Sequence, residues 1–317
     1  MKRAAVTIDV DSLRFYAQIH GLPEIRGDDP IYTLALPRFA RLIAGAGIHA
    51  TVFAVGEDAA RYPEAFRFVA ETGSELASHS YSHDYRLSQR SSKEIENDLE
   101  KAEDALSPLC GPPPRNEKTP AGPTIRGFRA PGYNVSSTLL SVLLRRGYLY
   151  DSSLLPAPAY WMARAVALGR YALLRRPSVS LLGHFSAFAG PLEPYRTTPE
   201  KPWKPTPDGP LLELPMAVSS WARLPLFGTS WILWPTLLRH RLLDGALDRL
   251  PLINFEMHAI DLLGPDDPGV PKALIRAQPD LRISANQKLV LFSRLFSTLA
   301  HRTEVRSLAD WSRTFCL

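Results

Sequence analysis

Four side chains with metal-binding chemistry lie in two short stretches of the sequence. Asp9 and Asp11 end an apolar run at the amino terminus, and His79 and His83 directly follow a second apolar run. One carboxylate and two imidazoles form the ligand set of a catalytic divalent ion that keeps one position open for water. The second carboxylate, two positions away, is then available as a base toward that water. The four residues therefore predict a metal-assisted hydrolase.

Three further polar residues lie at or just after the ends of later apolar runs: Arg129, Asp151 and His258. Taken singly, they have structural explanations, such as a buried arginine in a turn or a hydrogen-bonded core histidine. Their shared placement favours a site, because the carboxyl ends of parallel strands meet at one face of an α/β barrel.

Short apolar runs alternate with helical patterns along most of the chain. The predicted strands are residues 4–10, 49–55, 75–78, 127–130, 148–152, 211–215, 252–257 and 304–307. The predicted helices are residues 36–46, 63–71, 92–106, 136–145 and 285–300, and an irregular loop is predicted over 109–126. Such alternation is typical of parallel β/α units. We expect an α/β fold, a distorted (β/α) barrel of about seven units, as a single domain over residues 1–317.

Residues 155–250 differ in composition from the rest of the chain. They hold 11 Lys and Arg against 6 Asp and Glu, which accounts for the whole net charge of +5, and five of the six tryptophans. Residues 157–176 and 226–241 can each form a basic, aromatic, amphipathic helix suited to an anionic membrane surface. We interpret the range as an insertion that either contacts a membrane or packs as a lid or dimer surface.

Composition and targeting signals narrow the remaining choices. Cys110 and Cys316 fit no metal or disulfide spacing, which favours a reducing compartment. We find no secretory signal before the first strand and no bilayer-spanning apolar segment. The expected location is therefore cytoplasmic, with peripheral attachment to the inner face of the cytoplasmic membrane. The basic surplus carries no recognition motif, so nucleic acid is not an expected partner.

Five motifs, in chain order, resemble those of the polysaccharide deacetylase family, carbohydrate esterase family 4, also called the NodB-homology domain. They are Thr7-Ile8-Asp9-Val10-Asp11, His79-Ser80-Tyr81-Ser82-His83, Arg129-Ala130-Pro131-Gly132-Tyr133, Tyr150-Asp151-Ser152-Ser153 and Phe255-Glu256-Met257-His258. The resemblance covers residues 4–154 and about 250–312. Val10 is a departure from the family's Thr-Phe-Asp-Asp, and it resembles the variant of the peptidoglycan-deacetylase-like and aminoarabinose-lipid deformylase branches.

The resemblance implies a metal centre. Asp11, His79 and His83 would hold a divalent ion, with zinc expected and cobalt, nickel or manganese as alternatives. Asp9 would be the general base, and Arg129 would keep it ionised.

The resemblance also implies an acid on the opposite side of the site. His258 would be the general acid, and Asp151 would orient it and tune its pKa. A backbone N–H near Gly132 would face the oxyanion.

The implied activity is removal of an N-acyl group, acetyl or formyl, from an amino sugar. Because residues 155–250 suit a membrane surface, a polyprenyl-phosphate-linked sugar of the cell envelope is the expected substrate. Two alternatives stay open: a small-amide hydrolase of the allantoinase-like branch, and a catalytically inactive sugar-binding module.

Overall fold

The structure is a computed structural model that describes residues 2–25, 27–110 and 124–315. Most of the predicted irregular loop, and Cys316, lie outside the described residues.

One sheet organises the described chain. Its nine strands are β1 (Lys2–Val10), β2 (Thr51–Ala54), β3 (Glu75–Ser78), β4 (Gly127–Phe128), β5 (Tyr150–Asp151), β6 (Tyr195–Thr197), β7 (Leu211–Glu213), β8 (Ile253–His258) and β9 (Thr303–Val305). The strand order is β6-β7-β5-β4-β3-β2-β1-β8, and β9 also pairs with β1. Only the β6–β7 pair is antiparallel, so seven strands from β7 to β8 run parallel.

Helices follow or precede most strands. They are α1 (Leu13–Ile19), α2 (Leu36–Ala46), α3 (Gly56–Arg61), α4 (Pro63–Ala70), α5 (Ser92–Leu106), α6 (Ser137–Arg145), α7 (Pro158–Leu173), α8 (Phe185–Phe188), α9 (Gly228–Leu233), α10 (Thr236–Arg249), α11 (Lys272–Ala277), α12 (Ala285–Arg302) and α13 (Leu308–Phe315). A π-helical turn, Ile31–Ala35, leads into α2, and short 3₁₀ turns occupy Leu87–Gln89, Ser107–Leu109, Pro131–Tyr133, Ala259–Leu262 and Pro279–Arg282.

The alternation of side chains along β1 separates the helix-facing core from the barrel interior. Val6 and Ile8 belong to the large core cluster that also contains the buried faces of the surrounding helices. Ala5 belongs instead to a smaller cluster with residues of β2, β3, β5 and β7, which fills one end of the interior. A strand has a side-chain period of two, so Thr7 and Asp9 lie on the same face as Ala5. The first aspartate therefore points into the barrel.

The segment after β7 joins the two sides of the curled sheet. The Met216 N–H donates to Leu154 O, next to β5, and the Ala217 N–H donates to Asn254 O on β8, at 2.9 and 2.8 Å. The result is a curled parallel half-barrel, which confirms the expected distorted barrel of about seven units.

The predicted insertion contains two kinds of structure. Residues 158–190 contribute α7 and α8 but no strand, whereas β7, later in the range, pairs with β5 inside the sheet. The helix predicted over 226–241 forms as two shorter helices, α9 and the start of α10. Trp231 of α9 is 3% exposed and packs on Phe255 of β8, so this tryptophan of the range 226–241 is not available to a membrane surface.

Within the ranges described, no helix combines the length and apolar character required to cross a bilayer.

Candidate active site

The carboxyl ends of the parallel strands bring the predicted site residues together. Asp9 of β1 is register partner of His258 of β8. His79 follows β3, where its N–H donates to Ala54 O, and Arg129 follows β4, where its N–H donates to Ser78 O. The backbone of each of these residues is therefore fixed by a neighbouring strand.

Asp11, His79 and His83 form a compact, buried set of potential metal ligands. The Asp11 Oδ1 atom lies 3.5 Å from His79 Nε2 and 3.2 Å from His83 Nε2. Two donors that share a tetrahedral ion at about 2.0–2.2 Å lie about 3.3–3.6 Å apart. Asp11 Oδ1 and His83 Nε2 are buried without a hydrogen-bond partner. The donor types, their spacing and these unpaired atoms fit a divalent ion.

Hydrogen bonds fix the imidazole ring of His79 and the backbone of His83. His79 Nδ1 lies 2.8 Å from Arg129 O, and an N–H donated there leaves the Nε2 lone pair facing Asp11. The His83 N–H donates to Ser80 Oγ at 2.9 Å. Ser80 and His83 adopt left-handed φ angles of 65° and 52°, which turn the chain back on itself between the two histidines.

The carboxylate of Asp98 on α5 holds this turn from outside. It accepts hydrogen bonds from the Tyr81 N–H at 2.8 Å and from Ser82 Oγ at 2.6 Å. These contacts stabilise the left-handed conformation that places His83 beside His79.

Charge interactions favour metal-competent protonation states in the ligand set. Burial raises the pKa of Asp11, but the nearby charges of His83, His79 and His258 outweigh it, so that this pKa lies below its usual range. Burial lowers the pKa of His79, although Asp9 and Asp11 oppose the shift. The ionised carboxylate and the neutral imidazole are the forms that bind a metal.

Arg129 and Asp9 form a fully buried ion pair at the centre of the site. Arg129 Nη1 donates to Asp9 Oδ1 at 2.6 Å, and the two residues are 0% and 1% exposed. The guanidinium also donates to Thr7 Oγ1, Ser152 O and Ser152 Oγ. Asp9 Oδ2 stays unpaired and lies 4.0 Å from His79 Nε2. One carboxylate oxygen is thus anchored, while the other faces the ligand set.

The partner of His258 is Glu256, not Asp151. His258 Nδ1 lies 2.8 Å from Glu256 Oε1, and its Nε2 lies 3.9 Å from Asp11 Oδ2. Burial lowers the pKa of His258, but the charge and hydrogen bond of Glu256, with Asp9 and Asp11, raise it well above its usual value. The sequence prediction that Asp151 orients this histidine is therefore corrected.

Asp151 belongs to a second polar cluster behind Arg129. Its Oδ1 atom accepts from Ser153 Oγ at 2.5 Å, and Ser153 Oγ in turn accepts from the Ala130 N–H at 2.8 Å. Burial raises the pKa of Asp151 to about 6, and burial together with the Asp151 charge raises the pKa of the neighbouring Glu213. Asp151 is separated from His258 along the sheet, and its contacts hold the backbone that follows β4.

Two other features bear on the predicted roles. The Tyr133 N–H donates to Ala130 O at 2.9 Å, so this amide near Gly132 is already paired. Asp9, Glu256 and His258 also lie close enough to be considered as metal ligands. Asp9 and Glu256 each already have a charged partner, so their proximity is explained without an ion.

Comparisons with known proteins find relatives for part of the chain and for its fold. Residues 28–150 match the family model described as polysaccharide deacetylase. A peptidoglycan deacetylase from Helicobacter pylori is 26% identical over 122 residues, which span 38% of this chain and 38% of that protein. The chain therefore spans less than two fifths of the curated relative it matches.

Two solved structures resemble the whole chain in fold. A Mycobacterium smegmatis protein assigned as a polysaccharide deacetylase has a TM-score of 0.57 at 18% identity, covering 99% of this chain and 90% of that one. Puue allantoinase has a TM-score of 0.55 at 15% identity, covering 98% and 89%. These two likenesses show the fold alone, and the polysaccharide deacetylase match covers residues 28–150 of the chain.

Substitution of a ligand histidine should remove the metal. We expect one zinc ion per wild-type chain, and a more than about 100-fold weaker affinity in His79→Ala, since loss of an outer hydrogen-bond partner alone costs about 10–100-fold. Zinc per chain after dialysis, measured by inductively coupled plasma mass spectrometry, tests this.

His49→Ala is the matched control, because His49 is exposed and remote from the ligand set. Full zinc occupancy in a folded His79→Ala protein would remove this residue from the ligand set.

Proposed function

We propose that this protein is a metal-dependent hydrolase that removes an N-acetyl or N-formyl group from an amino sugar. The observation that carries the proposal is the Asp11–His79–His83 ligand set, with an anchored carboxylate and a raised-pKa imidazole beside it. Amide hydrolysis needs three functions, namely a Lewis acid, a base toward water and an acid toward the departing amine. The site offers residues for each.

Asp9 is the proposed general base. The Arg129 guanidinium donates a hydrogen bond to one of its oxygens, Oδ1, and fixes it, while Oδ2 faces the ligand set and is free to accept a proton from water. Asp11, His79 and His83 would hold a divalent ion, and when bound it would supply Lewis acidity toward the amide carbonyl and toward that water. Zinc is the expected ion, because the donor set is two imidazoles and one carboxylate.

His258 is the proposed general acid. Glu256 hydrogen-bonds to its Nδ1 and raises its pKa, so Nε2 carries a proton that can pass to the leaving amine. The imidazole side chain is 24% exposed, which leaves it accessible to a substrate. Asp9 and His258 are register partners, so the base and the acid stand on adjacent strands beside the ligand set.

Replacing Asp9 with Asn should abolish most turnover while leaving the metal in place. General-base catalysis contributes about 10²–10⁴-fold, and we expect a loss of that size. Release of acetate or formate from N-acylated amino-sugar oligomers, measured beside zinc content, tests the assignment. A zinc-loaded Asp9→Asn enzyme with wild-type turnover would overturn it.

Allantoin is tested in the same assay. The likeness to an allantoinase concerns the fold alone, so it does not decide between an amino sugar and a small amide as the substrate. Allantoin hydrolysis with no acylamino-sugar turnover would replace the proposed substrate class with a small amide. Zinc binding without turnover of either would favour the inactive sugar-binding module.

Removing the negative charge of Glu256 beside His258 should shift the pH dependence of kcat/KM. The acid must be protonated, and Glu256 raises its pKa, so Glu256→Gln should move the basic limb of kcat/KM to lower pH. Hydrogen bonds to charged groups contribute about 1.5–3 kcal/mol, or about one to two pKa units. A pH–rate profile measures the shift, with the surface variant Glu96→Gln as control; an unmoved basic limb would exclude His258 as the titrating acid.

A lipid-linked substrate is the second part of the proposal, and α7 supports it. Met162, Val166 and Leu173 lie on one face of this helix, and they are 68%, 74% and 86% exposed. The opposite face carries the buried Trp161. Residues 155–192 contain four arginines and no Asp or Glu. An outward apolar stripe on an acid-free segment suits an anionic lipid surface, and such a surface would present a polyprenyl-phosphate-linked acylamino sugar to the site.

Binding to anionic vesicles should depend on this stripe. We expect Val166→Asp with Leu173→Asp to reduce co-sedimentation with phosphatidylglycerol-containing vesicles, because the change removes apolar contact and adds repulsion. Val290→Asp, at an exposed position of α12, is the control. Equal pelleting of both variants, or no pelleting of the wild type, would contradict membrane contact through α7.

A further inference from the structure

Arg164 of α7 carries a positive charge without a carboxylate partner. Its Nε donates to Ser180 Oγ at 2.9 Å, and its Nη1 lies 3.3 Å from Tyr160 Oη and 3.4 Å from Gly132 O. All three acceptors are neutral, and the two Nη1 contacts are long for hydrogen bonds. Among the described residues, no carboxylate lies within ion-pair distance of this guanidinium.

The Tyr85 ring lies between the Arg164 guanidinium and His83, one of the proposed metal ligands. A Cβ atom placed on Gly132 would lie 3.1 Å from Arg164 Nη2 and 2.8 Å from Tyr85 Cδ1, so both side chains pack against this glycine. The Tyr85 ring in turn meets the His83 ring edge-on, with centroids 4.9 Å apart. Arg164 therefore lines the wall formed by the segment after β4, at the side of the site.

The carboxylates of the site are already engaged elsewhere. Asp9 pairs with Arg129, Glu256 pairs with His258, and Asp11 faces the two ligand histidines. The Trp161 ring, with its centroid 5.3 Å from the Arg164 guanidinium carbon, offsets part of the positive charge, but a half-buried cation without a counter-ion is still costly. A guanidinium, as a planar fork of donors, is suited to bind phosphate or carboxylate oxygens in pairs.

We propose that Arg164 binds an oxyanion substituent, phosphate or carboxylate, of the sugar whose N-acyl group is removed beside Asp11, His79 and His83. The inference rests on the proposed function and narrows its substrate class from acylamino sugars in general to anionic ones. Arg164 acts as a binding residue and takes no part in the proton transfers.

The experiment compares three monosaccharides on the zinc-loaded protein: N-acetylglucosamine, N-acetylglucosamine 1-phosphate and N-acetylmuramic acid. Wild type is compared with Arg164→Ala and with Arg41→Ala, which removes an exposed arginine from α2. Acetate release gives KM and kcat, and calorimetric titration of each sugar gives Kd without requiring turnover.

We expect Arg164→Ala to weaken binding of at least one anionic sugar by about 10-fold or more, with kcat and the neutral sugar little changed. Arg41→Ala should behave as wild type. The anionic sugar that loses more affinity distinguishes phosphate from carboxylate as the bound group.

Equal effects of Arg164→Ala on charged and neutral sugars would overturn the inference, as would wild-type protein that binds neither anionic sugar more tightly than the neutral one. If no sugar is turned over but Arg164→Ala selectively weakens an anionic one, the oxyanion site stands and the proposed hydrolysis of these sugars fails.

Discussion

The site depends on one buried ion pair, between Arg129 and Asp9. Both groups are removed from water, and neither can be buried alone without a large desolvation cost. Arg129 also lies over the Phe53 ring of β2, 4.1 Å from its centroid, and donates to Thr7 of β1 and to Ser152 after β5. Its carbonyl oxygen fixes the His79 ring. One residue thus fixes a carboxylate oxygen of the proposed base, the orientation of a proposed ligand and the spacing of the central strands.

Much of this arrangement could be predicted from local sequence patterns. Asp9 lies near the end of a buried strand, where a side-chain period of two places it inside the barrel, and Asp11 lies just past the strand end. The histidines follow β3, which lies two places from β1 in the sheet. The alternation of strands and helices predicts a parallel curled sheet. These inferences need only strand periodicity and the rule that parallel strands end on one face.

The remaining contacts depend on tertiary packing that the sequence alone does not specify. Asp151 and Glu256 both lie on strands near the site, but the register of β8 puts Glu256 next to His258, whereas β5 holds Asp151 beside Glu213. The spacing of Glu256 and His258, two apart on one strand, was the available signal for their contact. Trp231 and Arg164 were both read as parts of amphipathic helices. The structure buries Trp231 against β8 and turns Arg164 toward Gly132, because the apolar stripe of α7 faces outward.

The central position of β1 in the sheet has a consequence for the order in which the strands can pair during synthesis. Ala4 pairs with Ile253 and Lys2 with Thr303, so β1 acquires two of its three neighbours only after most of the described residues have been synthesised. The residues of β2, which also pairs with β1, and the residues up to His83 are synthesised much earlier. Contacts so distant in sequence form slowly, and the exposed edge of β1 must stay protected until they do. The proposed metal ligands are therefore available on the nascent chain long before His258 joins them, and cation capture could precede catalytic competence during biosynthesis.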